Sequence, residues 1–478
     1  MKRAVGFPAA VHSVARPQDI YADAVVTILT PEVGKTRREG IPLKIVESAL
    51  SRGVTDVAAE LVDERRMMIR FSNNEITISK VYREALVNIF LMIEKHRAAT
   101  TVPWSSLGNI EKAAENLVTT AKNTPPSEVY APLPQGPFQY DPDLLKGSRV
   151  SMSPDKLTGY VQQAIGAGLK EGAQKVAGTL IATKTKRTLA TSGQVEVVQE
   201  KNGLEMSVRA FASDVASGHF VSISTNEGDF RPAEAGRTAG EIAKAALNPK
   251  QGGSGRFTAL LGPLIFADLA SQVGFVSSAF QVDIGRSFLV DKMGSEVASD
   301  KFTLVDDPTS AGSFGARAFD DEGTPTRRKA IVEKGVLKTY LHNSTTAKKF
   351  GVETTGNAGL VSPHPWNLVI EPGRKSFEEL LAEIGRGIYV TNDWYLRYQN
   401  YRRGDFSTIP RDGMFLIKKG EISAPIRELR ISDNMPRIFQ SILELSRSRS
   451  WIKWWEVRIP TLTPYALVED LNFTKSRT

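Results

Sequence analysis

One stretch of the chain is written twice. "GVTDVAAELVDERRMMIRFSNNEITISKV" from Gly53 and "GAQKVAGTLIATKTKRTLATSGQVEVVQE" from Gly172 align without a gap at a spacing of 119 residues. Val57 matches Val176, Asn74 matches Gly193, Ile76 matches Val195 and Ile78 matches Val197. Each copy follows an amphipathic segment, "LKIVESALSRG" or "LTGYVQQAIGAGLKEG", that closes on glycine. Glycine takes positive φ without strain and so ends helices readily. Alternating apolar residues then predict a strand, a turn at Asn73-Asn74 or Ser192-Gly193, and a second strand. Another helix follows in each copy, ending near Asn123 and Asn248, an offset of 125 that leaves six extra residues to a loop. Period and element order agree together, which sets the class as α+β with a duplicated N-terminal domain.

Boundaries follow from the punctuation. The duplicated α/β domain covers 41–250, with units at about 41–124 and 153–250. "PPSEVYAPLPQGPFQYDP" lies in a proline-rich connector, 125–152, and "NPKQGGSG" (248–255) is a glycine-rich linker. Residues 1–40 read as an extension without periodicity. From 256 to 478 the chain reads as mostly β, a curved sheet or barrel-like domain. "KAIVEKGVLKTYL" turns at Lys334-Gly335, and "GMFLIKKGEISAPI" turns around Gly420. "KSFEELLAEIGRG" is a helix with a Ser376–Glu379 capping box and Gly385 as its stop.

Composition removes several classes of function. None of the 478 residues is cysteine, which excludes disulfides, thiolate zinc sites and cysteine nucleophiles and fits a reducing cytoplasm. A net charge of +8 is thin over this length, so nucleic acid is not an expected partner. The richest apolar run, Leu86–Ile93, contains Asn88 and is far too short to span a membrane. Gly6 and Pro8 interrupt the basic N-terminus, which does not read as a secretory signal.

Six motifs occur in one order: "GRSFLVDKMGSEVASDKFTLVDDP" from Gly285, "FDDEGTPTRRKAIVEKGVLKTYLHN" from Phe319, "TGNAG" from Thr355, "GRGIYVT" from Gly385, "GDFS" from Gly404 and "KKGEI" from Lys418. Together they resemble the TldD/PmbA family, once called modulators of DNA gyrase, over about residues 42–435. The resemblance implies a cytoplasmic metallopeptidase acting on small or unfolded peptides. TldD-type members carry His-Glu-x-x-x-His on a helix after the first C-terminal strand, with a cysteine as third ligand. TldE-type members, also called PmbA, share the fold, lack that site and pair with a TldD-type subunit.

Zinc peptidase chemistry needs two imidazoles one helical turn apart, a further ligand and a carboxylate to activate water. The histidines are His12, His96, His219, His342 and His364, and no two share a turn. The stretch where the ligand helix belongs, "GPLIFADLASQVGFVSSAF" (262–280), offers only Asp268. No metal ligands and no catalytic residues are therefore expected here, and zinc belongs to a TldD-like partner. The expectation is a TldE/PmbA-like subunit in a hetero-oligomer with that partner, or a homodimer, handling peptides. A nucleic-acid or gyrase-associated binding protein, or a homodimeric scaffold, is the alternative.

The acids Asp320, Asp321 and Glu322 are expected to cap the turn at Gly323 or pair with Arg317, Arg327 and Arg328. Arg286, Asp321, Glu322, Thr324 and Asp405 are the expected chamber-lining residues on the quoted motifs. Trp451, Trp454 and Trp455 are expected at a subunit interface or a core edge, because tryptophan supplies large burial area. "NDWYLRYQNYRR" (392–403) reads either as a base-stacking or partner surface or as a buried helical stripe of Trp394, Tyr398 and Tyr401.

Overall fold

The computed structural model describes residues 39–359 and 361–475. All of the 1–40 extension except Glu39 and Gly40 lies outside the described residues. The first unit contains α1 (Ile41–Leu50), β1 (Asp56–Ser72), β2 (Glu75–Ile93), β3 (His96–Pro103) and α2 (Ile110–Lys122). A connector bearing the short helix α3 (Pro142–Leu145) leads to the second unit. That unit contains α4 (Pro154–Lys170), β4 (Lys175–Thr191), β5 (Val195–Phe211), β6 (Ser217–Ser224) and α5 (Pro232–Ala245).

The repeat is visible in the register. The six strands form one antiparallel sheet ordered β3-β2-β1-β4-β5-β6. Asp56 pairs with Met92 and Lys175 with Phe211, so both partners shift by 119 residues. At the centre Arg65 pairs with Lys184, its own counterpart, and the two-fold relation between the units passes through that pair. The turns differ. The first closes over Asn73 and Asn74, both at positive φ, after the register shifts between Arg70 and Phe71. The second keeps register to Thr191–Val195 and closes over three residues, with positive φ at Gln194 and not at Gly193. Gly193 is small for another reason: a Cβ there would lie 2.1 Å from the Pro134 carbonyl oxygen of the connector.

Period-two alternation gives this sheet two unlike faces. Met67, Ile69, Leu180, Ala182, Leu204 and Met206 point to the helices and form a core with α4 and α5. Those helices meet at backbone distance, since a Cβ on Gly236 would sit 2.0 Å from the Ala164 carbonyl oxygen. The core continues into the second domain through Leu260, Tyr389, Phe415 and Leu467. The other face carries Glu60, Glu64, Arg66, Thr185, Arg187, Lys201, Glu205 and Arg209 and fronts the C-terminal domain, as the contacts below show.

That domain comprises β7 (Lys250–Gln251), β8 (Gly255–Leu261), α6 (Pro263–Val276), α7 (Ala279–Asp283), β9 (Leu304–Asp306), β10 (Lys329–Glu333), β11 (Val336–Leu337), α8 (Ser344–Phe350) and β12 (Leu368–Ile370). It continues through α9 (Phe377–Ala382), β13 (Arg386–Asn400), β14 (Asp405–Lys418), β15 (Glu421–Arg427), β16 (Leu429–Asn434), α10 (Met435–Gln440), β17 (Ile442–Ile452) and β18 (Thr461–Lys475). Pairing runs β8-β13-β14-β16-β18 and returns to β8, while the other strands leave this circuit. The result is a curved sheet and not a regular barrel. The glycine-rich linker contributes to it, because β7 adds in parallel to β15.

The expected hairpins turn at Lys334-Gly335 and Lys419-Gly420, all four at positive φ. The capping box of α9 forms as expected, but the helix stops at Ala382, three residues before Gly385. The segment 392–403 is not a helical stripe. It continues β13 to Asn400, with a bulge that places Tyr395 at φ 60°.

Candidate functional site

The helix-free face of the N-terminal sheet and the loops of the C-terminal domain enclose a cleft. Two apolar seals bound it. At one, Phe319 packs with Leu189, Val195 and Val197. At the other, Trp454 packs with Val221, Leu264 and Ala267.

The acid turn sits at the first seal, and its three carboxylates have separate tasks. Asp320 is fully buried and accepts N–H bonds from Glu322 (3.0 Å), Thr324 (2.9 Å) and Ala358 (3.0 Å). Burial and the charge of Glu322 push its pKa up to about 8, while the Ala358 and Thr324 N–H groups pull it back. Asp321 pairs with Arg317 and, at 3.2 Å, with Arg187, which also pairs with Glu60. Glu322 accepts from the Ser344 N–H (3.0 Å) and hydroxyl (2.6 Å) at the start of α8. Of the expected arginine partners only Arg317 is used. Arg327 donates to the Thr354 carbonyl and Arg328 pairs with Asp307 and Glu371. The turn binds two domains together, and the Ser344 hydroxyl that reaches it is spent as a donor to Glu322.

The five expected chamber residues do not converge. Asp321, Glu322 and Thr324 lie at this turn. Arg286 is exposed and lies over Tyr401 (4.7 Å), and Asp405 pairs with Arg403 (2.7 Å) and accepts from Asn434 (2.9 Å). Asp405 belongs to the tip of the β13–β14 hairpin, and Arg286 reaches that tip from the loop after α7. The tryptophans also divide. Trp451 is half-buried on β17 and Trp455 is 49% exposed. Trp454 is buried, 4.6 Å from the His219 ring, and so joins the two domains of one chain; it is not a surface anchor.

His219 anchors a network at the second seal. The Asn392 amide nitrogen lies 3.0 Å from its Nδ1 and 3.4 Å from Asp412 Oδ2, and Ser207 Oγ lies 2.8 Å from its Nε2. An amide N–H directed at Nδ1 leaves the ring proton on Nε2, which donates to Ser207. In that tautomer the imidazole cannot take a proton from serine, so the Ser–His–Asn grouping is a latch between domains. Burial lowers the His219 pKa to about 4 and keeps the ring neutral. Asp412 completes the latch by accepting from Arg209 (2.6 Å) and Ser217 (2.7 Å).

Helix α6 follows the first long strand of the C-terminal domain, and twelve of its 14 residues are buried. Its one acid, Asp268, is pushed up to about 7 by burial and by the charge of Glu456. Asp393, also buried, accepts from Thr408 (2.8 Å), and burial followed by the Asp268 charge raises its pKa well above the usual range. These are two carboxyls in a sealed interior, with no imidazole on the helix. Among the described residues no three His, Cys, Asp or Glu side chains gather to hold a metal ion. His342 packs against Phe350 (5.4 Å) and His364 against Trp366 (4.2 Å). The residues on α6 do not fit a zinc-ligand set.

Between the seals lies a pocket of about 380 Å³ whose walls include Arg66, Thr183, Lys201, Glu205, Phe314 and Lys453. Sequence reasoning missed this pocket, Arg187 and the Asp412 latch.

Residues 254–475 match the family described as the PmbA/TldA metallopeptidase C-terminal domain. A metalloprotease of Methanocaldococcus jannaschii is 35% identical over 213 residues, covering 42% of this chain and 44% of that protein. The chain thus spans less than half the length of that relative. A Thermotoga maritima protein described as a candidate modulator of DNA gyrase superposes with a TM-score of 0.80 at 26% identity, covering 91% of this chain and 100% of the other. TldE from Thermococcus kodakarensis shares the fold, with a TM-score of 0.79 at 21% identity, 91% of this chain and 100% of the other.

Proposed function

By its residues 254–475 the chain belongs to the PmbA/TldD metallopeptidase family, and on that premise we propose that it is a TldE/PmbA-type subunit that does not itself cleave. The observation carrying this reading is α6, the helix after the first long C-terminal strand. It presents no imidazole, packs almost completely and is still held in place by the core. A helix kept for packing and not for ligands suits a subunit retained for shape and association. Its partner is a TldD-like chain bearing the zinc site, and the pair works on small or unfolded peptides in the cytoplasm. Extended peptides suit a cleft whose wall is a long-stranded sheet.

An exposed aromatic group marks a docking surface for that partner. Trp455 lies 5.1 Å from Trp394 and 5.8 Å from Tyr395, and Tyr395 is 45% exposed. Clustering of Arg397, Arg402 and Arg403 with other cations on one exposed face would favour the nucleic-acid alternative. Arg402 pairs instead with Asp291 and Arg403 with Asp405, and Arg397 donates to a backbone carbonyl. The test is assembly: mixed with a TldD-like chain, this protein gives a hetero-oligomer by light scattering. Two species that never associate contradict the reading.

A further inference from the structure

The pocket between the two seals has a charge imbalance. Arg66 pairs with Glu64, Arg187 with Glu60 and Asp321, Arg317 with Asp321, and Lys453 with Glu205. Lys201 has no carboxylate partner among the described residues; the charges it feels most are those of Arg317, Arg187 and Lys453. In the lining itself three cations, Arg66, Lys201 and Lys453, face two carboxylates, Glu64 and Glu205, and one negative charge is missing. The two lysines also approach one ring: their ammonium nitrogens lie 5.6 and 5.3 Å from the centre of the Phe314 ring. That ring rests on backbone, since a Cβ on Gly203 would be 2.7 Å from it, so the pocket has a flat apolar wall beside its cations.

We propose that this pocket is a carboxylate site, in which Lys201 and Lys453 hold the C-terminal carboxylate of a short peptide while its last side chain lies on Phe314. The volume is that of a small-ligand pocket, and a monoanion supplies the absent charge. Burial and the neighbouring cations lower the Lys201 pKa to about 7 in the empty pocket. A bound carboxylate would restore the ammonium, so binding takes up a proton and weakens as pH rises past 7. The other charges around Lys201 are those of Arg187, Arg317 and Lys453 and, in the pocket lining, Glu64, Arg66 and Glu205. The peptide identity of the ligand rests on the proposed function; the carboxylate site itself does not.

The test uses the intact chain alone, with no partner and no cleavage, so it stands apart from the assembly assay. Calorimetric titration compares acetyl-Ala-Ala-Phe as free acid, the same peptide as its C-terminal amide, and inorganic phosphate. The free acid is expected to bind, with at least tenfold weaker binding after amidation and in Lys201→Met. Lys201→Met removes a desolvated charge and so keeps the fold; Lys201→Arg, which keeps the charge, is expected to retain binding. Equal binding of acid and amide, or an unchanged affinity in Lys201→Met, overturns the site. Binding of phosphate without the peptide acid overturns its assignment to a peptide terminus.

Discussion

Replacing Asp320 by alanine isolates what the acid turn does. The carboxylate is fully buried and accepts three backbone N–H bonds, from Glu322, Thr324 and Ala358. Alanine leaves all three donors without an acceptor, the Ala358 N–H in the buried interior and the other two half-buried. Each orphaned group costs about 1–3 kcal/mol, and local relaxation recovers part, so the expected loss is about 3–5 kcal/mol. Asparagine is the informative companion. Its carbonyl can replace the oxygen that serves Glu322 and Thr324, but its NH2 then faces the Ala358 N–H, donor against donor. The expected loss is about 1–3 kcal/mol, from that one bond. Urea unfolding followed by tryptophan fluorescence reads the effect, because Trp366 donates to the Gly356 carbonyl (2.9 Å) in the adjoining loop. If both variants unfold within about 1 kcal/mol of the parent, the turn is not a structural cap and the reasoning fails.

Asp268→Asn tests the buried acids of α6. Burial raises the Asp268 pKa from 3.8 to about 7, so the folded state keeps a proton that the unfolded chain releases. That stabilisation is fully present below about pH 4 and disappears as pH rises to 7; the variant should flatten the pH–stability profile in this window, and an unchanged slope rejects the assignment. Trp455→Ala should weaken hetero-oligomer formation by about 2 kcal/mol while leaving the monomer stable; Trp454→Ala should instead lower stability by about 3–5 kcal/mol, as read by thermal unfolding. Elemental analysis of purified chain should find far less than one zinc per molecule; a stoichiometric, tightly held zinc contradicts the account.

Much of this architecture was legible. The 119-residue repeat already contained the two-fold sheet, because strand length and alternation recur in both copies. It also contained the cleft face: Thr183, Thr185 and Arg187 on β4, and Lys201, Glu205 and Arg209 on β5, share one side by period two. What faces them was not legible. Asp321 meets Arg187 across 134 residues, and Arg209 meets Asp412 across 203, and no local pattern encodes such distances. The second turn misled because Gly193 suggests positive φ, whereas packing against Pro134 explains the glycine. Segment 392–403 stayed open between two readings because aromatics at helical spacing also fit a bulged strand. The tryptophan cluster read as an interface or a core edge, and burial divides it between the two, Trp454 inside and Trp455 outside, one position apart.

The central claim is that this chain completes a peptidase without performing the cleavage. Its most direct measurement is hydrolysis of a fluorogenic peptide by this chain alone, by a TldD-like chain alone and by their mixture, each with and without a chelator. The account predicts no turnover by this chain, and chelator-sensitive turnover by the mixture that exceeds that of the partner alone. Metal-dependent cleavage by this chain alone contradicts it.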